Sequence, residues 1–225
     1  MKEKTKVEVF RFDPESDKEP RYETYEIDMK EGMTVIDALL EIRKRDPTFD
    51  FNYVCRSGQC GICGVKVNGR AVLACREKAT SKMKIEPFSN FPVKKDLIVN
   101  IDDYESRLSD LRVYLDRNSE PTEEPEYLDM STIEYFKKAS RCISCFCCVE
   151  SCPAFDDKTH KFDGPAALVL EARHYFDPRD DLNRELIIKE SGLDLCIDCG
   201  RCDDVCPMLK PYEIIRSLKE EILDG

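Results

Sequence analysis

Thirteen cysteines carry the reactive chemistry of this sequence, and their spacing sorts twelve of them into three blocks. The first block is Cys55-x4-Cys60-x2-Cys63-x11-Cys75. The second is Cys142-x2-Cys145-x2-Cys148-x3-Cys152-Pro153, and the third is Cys196-x2-Cys199-x2-Cys202-x3-Cys206-Pro207. Thiolates are soft, compact and anionic, which suits them to iron–sulfur clusters. The first spacing is that of a [2Fe–2S] ligand set. The other two are those of paired [4Fe–4S] clusters, in which the fourth cysteine of each run crosses to serve the other cluster. Cys142, Cys145, Cys148 and Cys206 would then hold one cluster, and Cys152, Cys196, Cys199 and Cys202 the other. Three such clusters in one chain imply one task, the movement of single electrons.

The surroundings of the cysteines agree with this reading. The segment Cys55-Arg-Ser-Gly-Gln-Cys60-Gly-Ile-Cys63-Gly64 holds three glycines. Glycine lets a backbone fold tightly around a cluster and aim N–H groups at sulfur. A zinc site is the competing explanation, but zinc knuckles pair one Cys-x2-Cys with a second such pair, and the first block does not. Cys147 is left over. A free cysteine is ordinarily a small buried apolar residue; the sharper alternative is a spare ligand or a redox-active thiol. The two histidines, His160 and His174, suit surface or packing roles better than ligation. The sequence offers no Ser/His/Asp set, no phosphate-cradling glycine loop and no nucleotide fingerprint.

The chain carries 46 acidic and 35 basic residues, a net charge of −11, which speaks against nucleic acid as a partner. Only 41% of residues are hydrophobic and 36% are charged, so metal sites acting as internal staples would help such a chain fold. The N-terminal residues show no apolar stretch of the secretory kind. No apolar run approaches the roughly 18 residues that span a bilayer. A cytoplasmic location is expected, with any attachment to a membrane's cytoplasmic face made through a partner.

The elements that must position the cysteines read as follows. Lys6 to Phe12 and Arg21 to Ile27 alternate as strands, joined by a Pro-containing connection. Thr34 caps a helix with Asp37 in its first turn, and Pro47 stops it. Gly64–Val67 and Ala71–Ala74 flank Asn68-Gly69, the strongest short hairpin signal. Met83–Pro87 and Leu97–Val99 are further strands. Asp102 to Asp116 is a helix, and Asn118 to Asp129 is an acidic, Pro-containing linker. Beyond Ser131 the pattern is helical, with helices at Ile133–Ala139, Pro165–Tyr175, Leu182–Glu190 and Tyr212–Leu223. The two four-cysteine runs repeat at an offset of 54 residues, from Cys142 to Cys196. The fold class is thus α+β: an N-terminal β-grasp domain of the plant-type ferredoxin kind over 1–104, a helix and linker over 105–130, and an all-α, bacterial-ferredoxin-like two-cluster domain over 131–225.

In this order the motifs resemble the iron–sulfur subunit of the succinate dehydrogenase and fumarate reductase family. The resemblance rests on Cys55-Arg-x-Gly58-x-Cys60-Gly61-x-Cys63, on Leu73-Ala-Cys75, and on Val205-Cys206-Pro207. It rests also on Cys142-Ile143-x-Cys145-x-Cys147-Cys148-x-x-Ser151-Cys152-Pro153-Ala-Phe155, in which even Cys147 matches a cysteine common in the family. The segment Pro87 to Asp96 is similar to the family's exit from its [2Fe–2S] domain.

The resemblance implies a non-catalytic electron-transfer subunit of an oxidoreductase complex. A flavoprotein partner would carry FAD and interconvert succinate and fumarate. Electrons would run between FAD, the [2Fe–2S] cluster, a proximal [4Fe–4S] (Cys142, Cys145, Cys148, Cys206), a distal [4Fe–4S] (Cys152, Cys196, Cys199, Cys202) and a second partner. Common members lack the cysteine corresponding to Cys199 and hold a distal [3Fe–4S]; here a second [4Fe–4S] is expected. Common members also place tryptophans and a histidine near that cluster for quinone, where this chain has Asp156-Asp157 and Ile197 and no tryptophan anywhere. A complete second run is similar to thiol-driven fumarate reductases and atypical succinate dehydrogenases. In those the second partner is a cysteine-rich, heterodisulfide-reductase-like protein, here expected as a separate chain; a membrane anchor is the other choice. The helical half alone also resembles the small iron–sulfur subunit of heterodisulfide reductases, so a wire subunit of such a complex is the alternative function.

Overall fold

The computed structural model describes residues 4–118, 120 and 124–224, with Ser131 and Thr132 described in their backbone alone. The chain divides into two units, Met1–Ile101 with Ile143–Ser151, and Asp102–Cys142 with Cys152–Gly225. The first therefore takes in a nine-residue excursion from the middle of the second cysteine block.

In the first unit, β1 (Lys4–Arg11) and β2 (Arg21–Asp28) pair antiparallel, and α1 (Val35–Arg45) follows. Then come β3 (Gly64–Val67), β4 (Arg70–Leu73) and β5 (Lys82–Glu86), giving the sheet order β2-β1-β5-β3-β4. Strands β1 and β5 run parallel and the other pairs antiparallel. This is the expected β-grasp. Val7 and Val9 alternate inward from β1, and Met83 and Ile85 from β5. Val35, Ile36, Leu39 and Ile42 of α1 are likewise buried in the core. Helix α1 starts as expected: the Asp37 carboxylate accepts from the N–H and hydroxyl of Thr34. A second small ribbon, β6 (Val93–Lys95) with β7 (Ile98–Val99), extends the strand expected at Leu97–Val99.

Arg11 also points inward from β1, which alternation alone would leave unsatisfied. Its guanidinium donates to Asp96, Glu23, Asp46, Tyr25 and Thr48. A buried cation is tolerable when it is paired and fully hydrogen-bonded in this way.

The second unit is helical: α2 (Asp102–Asp110), α3 (Met130–Ala139), α5 (Gly164–Tyr175), α6 (Arg184–Glu190), α7 (Arg201–Val205) and α8 (Pro211–Ile222). The short α4 (Cys147–Glu150) lies between α3 and α5 in sequence but belongs to the first unit. Leu168, Val169 and Ala172 of α5 pack with Ile188 of α6 and Ile214, Ile215 and Leu218 of α8. Helix α2 ends six residues earlier than expected, because Arg112 adopts a left-handed conformation (φ 54°). The carbonyls of Leu111, Arg112 and Tyr114 turn instead to Arg184. Arg184 pairs with Asp180 and Glu171, and all three are almost fully buried. Part of the expected linker, residues 119 and 121–123, lies outside the described residues.

Candidate metal centres

The first cysteine block occupies the loop between α1 and β3, and Cys75 lies just beyond the end of β4, after Ala74. Three left-handed positions, Arg56 (φ 55°), Gly58 (φ 74°) and Gly61 (φ 75°), wind the loop inward. Three backbone N–H groups, of Ser57, Gln59 and Cys60, consequently point at the Cys55 sulfur, each at 3.4 Å. The Ser57 hydroxyl first, and then these N–H groups, bring the Cys55 thiol down to about 5. Cys63 behaves oppositely. Burial pushes it up to about 12, and the neighbouring sulfurs of Cys75 and Cys60 add to the rise. The four sulfurs thus share one small region, with N–H donors already aimed at it, and these residues fit a [2Fe–2S] group.

The two later runs have the same local build. Ser144 (φ 49°) and Phe146 (φ 57°) are left-handed in the second block, and Asp198 (φ 56°) and Gly200 (φ 69°) in the third. Each pair of left-handed steps leads into a short helix, α4 or α7, carrying the third cysteine of its run. Alternating left- and right-handed residues turn successive N–H groups into one concavity, which suits an anionic cluster.

In the second unit the crossing cysteine, Cys152, meets the third block. Burial raises the Cys152 thiol, and the charges of Cys199 and Cys196 raise it further. Cys202 is pushed up to about 12 by burial, then by Asp203 and the sulfurs of Cys152, Cys196 and Cys199. Four thiols that oppose one another's ionisation fit a shared cationic group such as iron, which would favour their thiolates. Lys219 approaches the same loop, donating to the Cys196 carbonyl at 2.6 Å and to both Asp198 oxygens. The remaining set is divided between the units: Cys145 and Cys148 belong to the first, Cys142 and Cys206 to the second.

Cys147 is fully buried, and it is more than filler. Its thiol and N–H serve the Cys145 sulfur, the first of these being the main reason that Cys145 falls to about 7. Cysteine spacing gave no sign of this contact. His174 is buried in α5, where desolvation lowers its pKa; it packs and does not approach the cysteines' chemistry. Asp203 is half-buried and accepts from the Tyr212 N–H at 2.7 Å, capping α8. Among the described residues no trio of His, Cys, Asp or Glu side chains closes on a single metal ion. Among them, too, no helix is long and apolar enough to cross a membrane.

Residues 6–106 match the model of a 2Fe-2S iron-sulfur cluster binding domain, and residues 138–209 that of a 4Fe-4S dicluster domain. The fumarate reductase iron-sulfur subunit of Mycobacterium tuberculosis is 33% identical over 92% of this chain and 87% of its own length. The chain belongs to the family of iron–sulfur subunits of fumarate reductase and succinate dehydrogenase. This iron–sulfur protein is also 39% identical, over 89% of its length, to a subunit of the fumarate reductase (CoM/CoB) of Methanothermobacter marburgensis. There it spans only 40% of the relative, and it spans 39% of an uncharacterized iron-sulfur protein of Methanococcus maripaludis. Its fold is that of a chain in the Mycobacterium smegmatis Sdh1 complex in the apo form (TM-score 0.85, 22% identity, 100% of this chain and 97% of that one).

Proposed function

We propose that this chain is the non-catalytic electron-transfer subunit of a fumarate reductase or succinate dehydrogenase complex. The observation that carries the reading is the set of three complete cysteine blocks, in family order, on a chain a third identical to a fumarate reductase iron-sulfur subunit along nearly its whole length. When bound, three clusters would supply one-electron relay sites between an FAD-bearing flavoprotein and a second partner. Cys55, Cys60, Cys63 and Cys75 would hold a [2Fe–2S] group. Cys142, Cys145, Cys148 and Cys206 would hold the proximal [4Fe–4S], and Cys152, Cys196, Cys199 and Cys202 the distal [4Fe–4S].

The chain's own contribution is to hold these sulfurs and to set their charge. The N–H groups around Cys55 favour its thiolate, and Lys219 with Asp198 fixes the loop between Cys196 and Cys199. Ile197 and Leu195 stand exposed beside that loop and give it an apolar rim. With Asp156, Asp157 and Ile197 at positions where quinone-reacting members carry aromatic and histidine side chains, the second partner is read as a cysteine-rich, heterodisulfide-reductase-like protein. The Methanothermobacter relative, named for CoM/CoB, supports that choice over a membrane anchor.

Anaerobic copurification tests the assignment. The expected result is a brown preparation holding a flavin-containing chain and a cysteine-rich chain, with fumarate-dependent oxidation of a reduced viologen. A colourless preparation with zinc and almost no iron or acid-labile sulfide overturns it. Disulfide reduction with no dicarboxylate activity would move the chain to the heterodisulfide-reductase type.

A further inference from the structure

Within the first unit, Cys145 lies directly against the first cysteine loop. Gly61 follows Cys60, and a Cβ placed there would stand 2.5 Å from the Ile143 carbonyl oxygen and 3.2 Å from the Cys145 Cα and Cβ. Gly64 follows Cys63, and its Cβ would meet the Phe88 ring at 2.6 Å and the Cys145 carbonyl oxygen at 3.3 Å. The backbone next to two cysteines of the first block is thus in contact with one cysteine of the second. Only glycine permits the approach at position 61, where φ is also +75°.

The segment that delivers Cys145 has no means of holding itself. Helix α4 is four residues long, far below the length at which a helix is stable alone. It is held by the buried side chains of Phe146, Cys147 and Val149 and by Glu150, whose side chain is 4% exposed. One carboxylate oxygen accepts from the Ser89 N–H at 2.9 Å and the Asn90 N–H at 3.0 Å, and the other from the Ser89 hydroxyl at 2.6 Å. Lys66 of β3 faces it at 3.5 Å. Asn90 returns the contact by donating its amide to the Val149 carbonyl at 3.0 Å. Hydrogen bonds to an ionised acceptor are the strong kind, and four donors converge on this one carboxylate.

We propose that Gly61 and Glu150 are positioning residues that fix the gap between the [2Fe–2S] loop and the proximal ligand Cys145, and with it the ease of electron passage between the two centres. The proposal rests on reading Cys60 and Cys145 as ligands of neighbouring clusters. Tunnelling falls off exponentially with distance, so a carboxylate clamp that prevents the segment from drifting acts on rate without touching either ligand set.

The test uses the anaerobically purified holoprotein and the variants Glu150→Gln and Gly61→Ala. Iron and sulfide per chain are measured first, then the electron paramagnetic resonance of the dithionite-reduced protein. The readout is the microwave power that half-saturates the [2Fe–2S] signal, which rises when a second paramagnet is near. Both variants are expected to keep their iron while that power falls several-fold. Ser89→Ala, which removes only the hydroxyl donor, should move it less and in the same direction, and it decides the matter if the larger changes prevent folding. Full iron with unchanged saturation overturns the proposal. A wild-type protein with only the [2Fe–2S] signal and too little iron for further clusters overturns the ligand reading instead.

Discussion

A thiol becomes a ligand more readily where its negative charge is already accommodated, and at Cys55 the Ser57 side chain and three backbone N–H groups together achieve this. Its three N–H donors come from residues with no charge of their own, turned inward by left-handed steps at Arg56 and Gly58. Cys202 sits at the other extreme, buried among sulfurs and beside Asp203, so its charge is expensive until a metal neutralises it. Between them, Cys199 is exposed. Replacing it should therefore cost one iron rather than the whole site. Cys199→Ser is expected to convert the distal cluster towards [3Fe–4S], visible as a new three-iron resonance in the air-oxidised protein. Iron per chain should fall by about one, since the other three cysteines remain. No new resonance from a fully loaded variant would count against the crossed ligand set.

At the scale of elements, short helices and irregular loops near the cysteines are held by buried charges reaching between segments. Arg11 ties β1 to the turn after α1 and to Asp96, and Arg184 ties α6 to α5 and to the chain leaving α2. Such pairs add little net stability as built, yet breaking one strands its partners. Arg184→Met leaves Glu171 and Asp180 buried without their cation and takes the Arg184 donor from the carbonyls of Leu111 and Tyr114. It is expected to destabilise the chain by about 3–5 kcal/mol, read from chemical denaturation of the holoprotein under nitrogen. A loss under about 1 kcal/mol would show that water satisfies these groups as well as Arg184 does. Glu171, pushed up to about 7 by burial, can shed part of this cost by taking a proton.

For the whole molecule, a chain with 36% charged residues and two modest cores is expected to depend on bound clusters for order. Removing iron with a chelator under oxidising conditions should lower the melting temperature and open the loops of residues 55–63 and 196–206 to proteolysis. The β1–β5 sheet, with its own core of Val7, Val9, Met83 and Ile85, should keep its strand signal in circular dichroism longer than the helical unit keeps its helices. Loss of both signals together would show that the sheet, too, is held by its cluster.

The cysteine blocks, the β-grasp strands, the cap at Thr34 and the helices α3, α5, α6 and α8 were all legible in the linear order. Each follows from spacing, periodicity or capping, which are properties of neighbours along the chain. The second ribbon strand β6 and the short helices α4 and α7 were not, being too brief to show a period. Nor was the burial of Arg11, whose partners Asp46 and Asp96 lie 35 and 85 residues away. The contact of the Cys147 thiol with Cys145 was equally hidden. The sequence thus determined which atoms are available to hold clusters. Tertiary structure alone decided that residues 143–151 fold with the first unit, with Cys145 against Gly61 and Glu150 clasped by Ser89 and Asn90, because those contacts join segments whose sequences give no sign of one another.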